Sequence, residues 1–242
     1  MMRDGQKDLP FGGEKPICLD ALQIEALFGY PEHSIAWEYL AEFCYPWEAL
    51  AGLSSFVLKL GNRLPDATYD KIGEAVWVAK TAKIAPTAYL GGPCIICDFA
   101  EVRHAAFIRG SAVVGAGAVV GNSTELKNCI LFDGVQVPHY NYVGDSVLGY
   151  KAHMGAGAVT SNVKSDKSAV TIAYDGNRVE TGCKKLGAIL GDFVEVGCNS
   201  VLNPGTVIGK HSNVYPLSSV RGFVAPDSIY KSSGNIVKKQ ND

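Results

Sequence analysis

Arg109 and Lys127 stand 18 residues apart, and His139 and Ala156 stand 17 apart. In a chain that coils with turns of about that length, residues one turn apart lie above one another at roughly the 4.8 Å spacing of paired strands. Arg109 over Lys127 would then be a ladder of two cations, repelling by on the order of 3 kcal/mol at a separation of about 5 Å and an effective dielectric near 20. An anion relieves such a ladder, and phosphate fits it; otherwise the side chains splay into water or pair with Glu125 or Asp145. His139 would lie beneath Gly155-Ala156-Gly157, small-residue backbone whose N–H groups a substrate can approach closely. A base beside an unobstructed donor is an acyl-transfer arrangement. His139 lies at a corner, in Pro138-His139-Tyr140-Asn141-Tyr142, which sets it apart from His33, His104 and His211, read as structural; His153, just before Met154, is intermediate.

The coil that would align these residues is visible as a period of six. Val78, Ile84, Leu90, Ile96, Val102, Ile108, Val114, Val120 and Leu126 are nine consecutive aliphatic hits, each followed four residues later by a small or inward-compatible residue such as Ala82, Ala106 or Thr124. The rule returns as Leu190, Val196, Leu202, Ile208, Val214 and Val220. Six fits neither an α-helix nor a hairpin sheet. It fits short strands joined by tight corners around a triangular core, three hexads to a turn, which is the pattern of the left-handed parallel β-helix and an exception to the right-handed crossover rule. Glycines at 91, 115, 121, 191, 197 and 209 suit corners with positive φ. Between Leu126 and Leu190 the repeat runs through Phe132, Val137, Val143, Leu148 and Met154 with two steps of five, hence the 17 from His139 to Ala156.

The expected architecture is thus mainly β. Residues 76–242 form the coil, with a polar excursion at about 160–188 carrying Lys164, Lys167, Lys184 and Lys185, and residues 1–75 form a helical segment. Helices are expected over 21–28, 35–44 and 47–60, opened by an Asp20/Gln23 capping box, Ser34 and Pro46. Their aromatic residues, Trp37 and Trp47 among them, would cover one end of the coil or a neighbouring subunit. The chain has 242 residues, 27 of them glycine, and a net charge of -2 that gives no reason to expect nucleic acid or an acidic membrane as partner. No apolar run is long enough to span a bilayer, and residues 1–10 are too polar for a secretory signal, so a cytoplasmic protein is expected. Seven scattered cysteines point to reduced thiols, and Cys94 and Cys97, a lone C-x-x-C, read as packed rather than metal-binding.

The run at 137–145 (VPHYNYVGD), followed by MGAG at 154–157 and Ser161-Asn162, resembles the acetyltransferase half of the GlmU family. The KKLGAILGD stretch at 184–192 is similar to archaeal-type sugar-phosphate nucleotidylyltransferase/acetyltransferases. The resemblance covers about residues 106–220. It implies a homotrimer with active sites between subunits, transferring acetyl from acetyl-CoA to an amino-sugar phosphate, foremost glucosamine-1-phosphate. It implies His139 as the base and the Ala156 N–H as oxyanion donor. Arg109 and Lys127 match phosphate-side ligands, and Glu125 and Tyr142 match sugar contacts. His153 stands at a substrate position where the family has asparagine. Asn162 and Cys198 match the lining of the coenzyme A groove, Cys198 in place of serine, and Val163 replaces a tyrosine. The nucleotidylyltransferase half is not matched, so no pyrophosphorylase activity is expected. Two other readings stand beside this one: a non-catalytic trimeric scaffold or regulatory subunit, and a metal enzyme using His104, His139 and His153, whose hexad phases differ.

Overall fold

A computed structural model describes residues 20–240. The polar start at 1–10 and Cys18 lie outside the described residues. From Val76 the chain winds as the expected left-handed parallel β-helix. Three faces recur in chain order. The first includes Val76–Ala79, Cys94–Ile96, Ala112–Val114, Ala188–Leu190, Thr206–Ile208 and Phe223–Val224. The second includes Lys83–Ile84, Glu101–Val102, Val119–Asn122, Gln136–His139, His153–Met154, Glu195–Val196 and Asn213–Val214. The third includes Tyr89–Leu90, Phe107–Ile108, Val159–Thr160, Val201–Leu202 and Ser219–Val220. Two long strands, Glu125–Leu131 and Tyr142–Leu148, pass from the third face to the first and join them into one sheet.

Two details of the repeat differ from expectation. Leu131, not Phe132, continues the inward column, pairing with Val114 on one side and Leu148 on the other. Phe132 is buried all the same, its ring stacked on Phe28 at 4.9 Å. The glycines at 115, 121, 191, 197 and 209 answer to crowding between rungs rather than to positive φ. A Cβ on Gly121 would lie 1.6 Å from the Pro138 carbonyl oxygen. Positive φ falls two residues further along, at Gly117, Ser123, Phe193, Asn199 and His211.

The N-terminal segment is more broken than expected. Its pieces are the 3-10 turns Asp20–Leu22, Pro31–His33 and Pro46–Ala51 and the α-helices Ile24–Leu27, Trp37–Leu40 and Leu53–Gly61. The Asp20 carboxylate accepts from the Gln23 side chain instead of capping backbone, and Pro31 and Pro46 each open a new turn. The Glu48 carboxylate gathers the N–H groups of Cys44 and Tyr45 at 3.0 and 2.8 Å. The last expected helix is divided at Gly52, between a 3-10 turn and an α-helix, and a Cβ there would lie 2.6 Å from the Tyr39 hydroxyl.

These pieces cover the lower and middle strands of the first face, and Thr171–Tyr174 of the excursion packs on its upper strand Phe223–Val224. Ile95, Val113, Ile130, Val147, Ile189 and Val207 alternate with the inward aliphatics of that face and are themselves fully buried. Helix Leu53–Gly61 packs on its lower strands and Pro46–Ala51 on Tyr142–Leu148. A strand buried on both sides reads as an unbroken apolar run, as Ala112–Val114 does. Asp192 ties the cover down: its two oxygens accept from the N–H groups of Gly29 and Tyr150 at 2.6 and 2.8 Å. Burial raises its carboxyl pKa above the ordinary value.

The excursion leaves after Val159–Thr160, forms an antiparallel hairpin of Thr171–Tyr174 and Asn177–Glu180, and rejoins at Ala188–Leu190. A reversed strand also sits at each extremity of the coil: Tyr69–Lys71 runs antiparallel to Val76–Ala79, and Asn235–Lys238 antiparallel to Ser228–Ser232. Cys94, Cys97, Cys129, Cys183 and Cys198 are free thiols. Cys44 is disulfide-bonded, which corrects the expectation of reduced cysteines throughout. Burial pushes the Cys94 and Cys97 thiols up to about 12, in keeping with packed groups. Among the described residues no helix is long and apolar enough to cross a membrane.

Candidate functional site

The corner between the second and third faces carries a vertical column. Asn122 pairs with His139, and the Gln136–His153 and Met154–Val196 pairings carry the register on to Ala156 and Cys198. The Gly157 N–H donates to the His139 carbonyl at 3.0 Å, and the Asn199 N–H to the Ala156 carbonyl at 2.8 Å. His139 therefore lies one rung below Ala156. The Ala156 N–H has no acceptor among the described residues, and Gly155 and Gly157 on either side lie close against Cys198 and Asn199 of the next rung. The His139 side chain is exposed. Cys198, exposed, stands one rung above Ala156. His104 belongs to this same column, two rungs below His139 with Asn122 between them, and its Nδ1 lies 2.9 Å from the Thr87 hydroxyl. His104 and His139 thus share a phase, contrary to the expectation. Among the described residues no three His, Cys, Asp or Glu side chains gather as a metal site.

The opposite corner, between the third and first faces, holds the cations. Leu126 pairs with Ile108, so Lys127 does follow Arg109 one rung up. The ladder is not left for an outside anion alone. Arg109 donates to Glu125 Oε1 at 2.8 Å, and the Lys127 ammonium lies 3.0 Å from Asp145 Oδ2. Each cation has taken a carboxylate, the alternative that sequence spacing left open. The bond and charge of Glu125 hold the Arg109 pKa above its ordinary value.

Asp145 is the centre of this corner and the residue sequence reasoning undervalued. It is buried, sits at φ 49, and accepts from Lys127, Asn128 and Asn162. The signal for it was present: Asn128, Asp145 and Asn162 are spaced by 17, the length of the shortened turns. Asn162 also donates to the Tyr142 hydroxyl at 3.2 Å, and burial, with Asp145 and Glu125 nearby, raises the Tyr142 pKa.

Arg109, Glu125, Lys127, Tyr142 and Asn162 thus come together across the third face, with His139, Ala156 and Cys198 along one margin. From His139 to Gly144, which pairs with Lys127, is five residues of chain, at most about 17 Å and less across the bend. His153 is not brought to either group. It lies at the far margin of the second face, its Nδ1 2.7 Å from Glu195, beside a groove lined by Gln136, Lys151 and Phe193.

Residues 90–212 match the family described as the GMPPB C-terminal domain. A bifunctional protein GlmU from Methanococcus vannielii is 34% identical over 137 residues, 56% of this chain and 33% of its own. A bifunctional sugar-1-phosphate nucleotidylyltransferase/acetyltransferase from Sulfurisphaera tokodaii is 31% identical over 161 residues, covering 66% of this chain and 40% of its own. GlmU from Methanococcus maripaludis is 29% identical over 208 residues, 84% of this chain and 50% of its own. The chain spans about a third to a half of the length of these relatives.

Proposed function

Since the chain belongs to the GMPPB C-terminal domain family, we propose that its third face is the floor of an acyl-transfer site, with acetyl-CoA as donor and an amino-sugar phosphate, glucosamine-1-phosphate foremost, as acceptor. The observation that carries this reading is the placement of His139 one rung below the Ala156 N–H, which has no partner among the described residues. His139 takes a proton from the sugar amine as the nitrogen lone pair attacks the thioester carbonyl. The Ala156 N–H bonds the oxygen that gains charge. His139 then returns the proton to the departing thiolate, which leaves as coenzyme A. Arg109 and Lys127 turn from Glu125 and Asp145 toward the phosphate, while Tyr142 and Glu125 hold the sugar. Cys198, one rung above Ala156, and Asn162, at the cation corner, border the donor.

The acting unit in this reading is a homotrimer. The first face is already covered by the chain's own N-terminal segment and excursion hairpin, so a neighbouring copy closes over the third face. His153, remote from His139 within one chain, would reach a substrate only across that boundary. The test is thiol release from acetyl-CoA over a panel of amino-sugar phosphates. His139→Ala is expected to lose about 10²- to 10⁴-fold in rate with the assembly intact; a loss under about tenfold removes His139 as the base.

Two observations favour a scaffold as the second reading: the cations are already matched by carboxylates, and among the described residues no hydrogen bond orients the His139 ring. Calorimetry separates the two, since a scaffold shows no acetyl-CoA binding at millimolar ligand.

A further inference from the structure

Among the described residues, Asn141 is the only amide side chain in an inward column otherwise built of small residues, Ala88, Ala106, Thr124, Ala158, Ser200 and Ser218. It is 2% exposed, where a polar group is costly unless every hydrogen-bonding position is matched. All are used. Nδ2 donates to the carbonyls of Gly155 and Ala158 at 2.8 and 3.0 Å, and Oδ1 accepts from the His139 N–H at 3.1 Å. Its own N–H approaches the Thr124 hydroxyl at 3.3 Å, and that hydroxyl donates to the Val137 carbonyl at 2.9 Å.

One amide therefore grips both ends of the turn that carries Ala156 and, with its remaining atom, the backbone of His139. The contrast along the column is informative. At Ala156 the N–H has no acceptor among the described residues, whereas at His139 the equivalent N–H is taken up by Asn141. Only one of two neighbouring rungs thus offers a free donor to a bound carbonyl. The device also falls where the repeat is contracted: from Thr124 to Asn141 and from Asn141 to Ala158 is 17 residues, against 18 from Ala106 to Thr124.

Resting on the acyl-transfer reading above, we propose that Asn141 is a positioning residue that fixes the distance between the His139 imidazole and the Ala156 N–H. It touches neither substrate. Misplacement of reacting groups by about 1 Å costs on the order of 100-fold in rate, and Asn141 acts at that scale.

The experiment compares wild type with Asn141→Ala, Asn141→Asp and Asn141→Thr in steady-state kinetics with acetyl-CoA and the best amino-sugar phosphate. Asn141→Ala is expected to lower kcat by about 10- to 100-fold, with both KM values within about threefold of wild type. Asn141→Thr, which keeps one donor and one acceptor, recovers part of that loss. Adding Asn141→Ala to His139→Ala has little further effect, because the base it places is gone. Unchanged kcat in Asn141→Ala, or a full second loss in the double variant, overturns the proposal. Amide hydrogen exchange follows the pin without turnover. The His139 N–H should exchange at least about tenfold faster in Asn141→Ala, and by a smaller factor in Asn141→Thr, while Val137 and Val143 stay protected; wild-type protection in Asn141→Ala overturns the proposal. A wild type inactive toward the whole panel sinks the acyl-transfer reading and with it the positioning role, leaving exchange to show only whether the pin exists.

Discussion

The first and third faces of the coil share a backbone, a repeat and even two strands, yet they are opposites. On the first, the residues that alternate with the inward aliphatics are Ile95, Val113, Ile130 and Val147, all fully buried beneath the N-terminal helices. On the third, the corresponding surface carries Arg109, Glu125, Lys127 and Tyr142, each bonded to a neighbour and none fully buried. The lesson is that a solenoid face acquires stability or chemistry according to what stands outside it, since the inward column is aliphatic on both but for Thr160 on the third.

That division can be broken by experiment. The largest stability effect is expected from Ile130→Ala, which opens a cavity between coil and cover and should cost about 2–5 kcal/mol in denaturant unfolding. The folded fraction should retain its kcat; a loss of turnover there would mean that the covered face takes part in the chemistry. Lys127→Met leaves Asp145 buried with two amide donors and no cation. With Lys127 27% exposed, about 1–2 kcal/mol of stability is at stake, alongside about a tenfold rise in KM for the sugar phosphate. A variant with unchanged KM would take the cation corner out of substrate binding.

The smallest effect belongs to pH. Burial raises the Asp192 pKa in the folded state, so the folded protein binds this proton more tightly than the unfolded chain. Stability from this group is therefore greatest below the ordinary carboxyl pKa and declines as pH rises through the raised one, then levels off. Urea midpoints for wild type and Asp192→Asn should differ with that slope; parallel curves would show that burial does not raise this carboxyl's pKa in the folded protein.

Most of the coil was legible because neither a helix nor a hairpin sheet turns aliphatics inward at six-residue intervals. What escaped were choices between neighbours of like character. Phe132 and Leu131 are adjacent and apolar, and only the pairing with Val114 shows which points inward. A glycine does not announce whether it serves φ or clearance, and at 121 the Pro138 carbonyl decides. Spacing placed Arg109 beneath Lys127 and His139 beneath Ala156, but it fixes columns and not rotamers, so the capture of both cations by Glu125 and Asp145 lay beyond it. Two signals went unused. The 18- and 17-residue intervals joining Ile95, Val113, Ile130 and Val147 mark the covered face, and those of 17 joining Asn128, Asp145 and Asn162 mark the polar corner.

The two reversed strands at the extremities carry one more implication. A parallel spiral has no inherent length, and open rims invite further copies to add end to end, as fibres grow. Tyr69–Lys71 below and Asn235–Lys238 above present the wrong polarity to such an arrival. Each thus shields the rim of one face from a parallel coil arriving end to end.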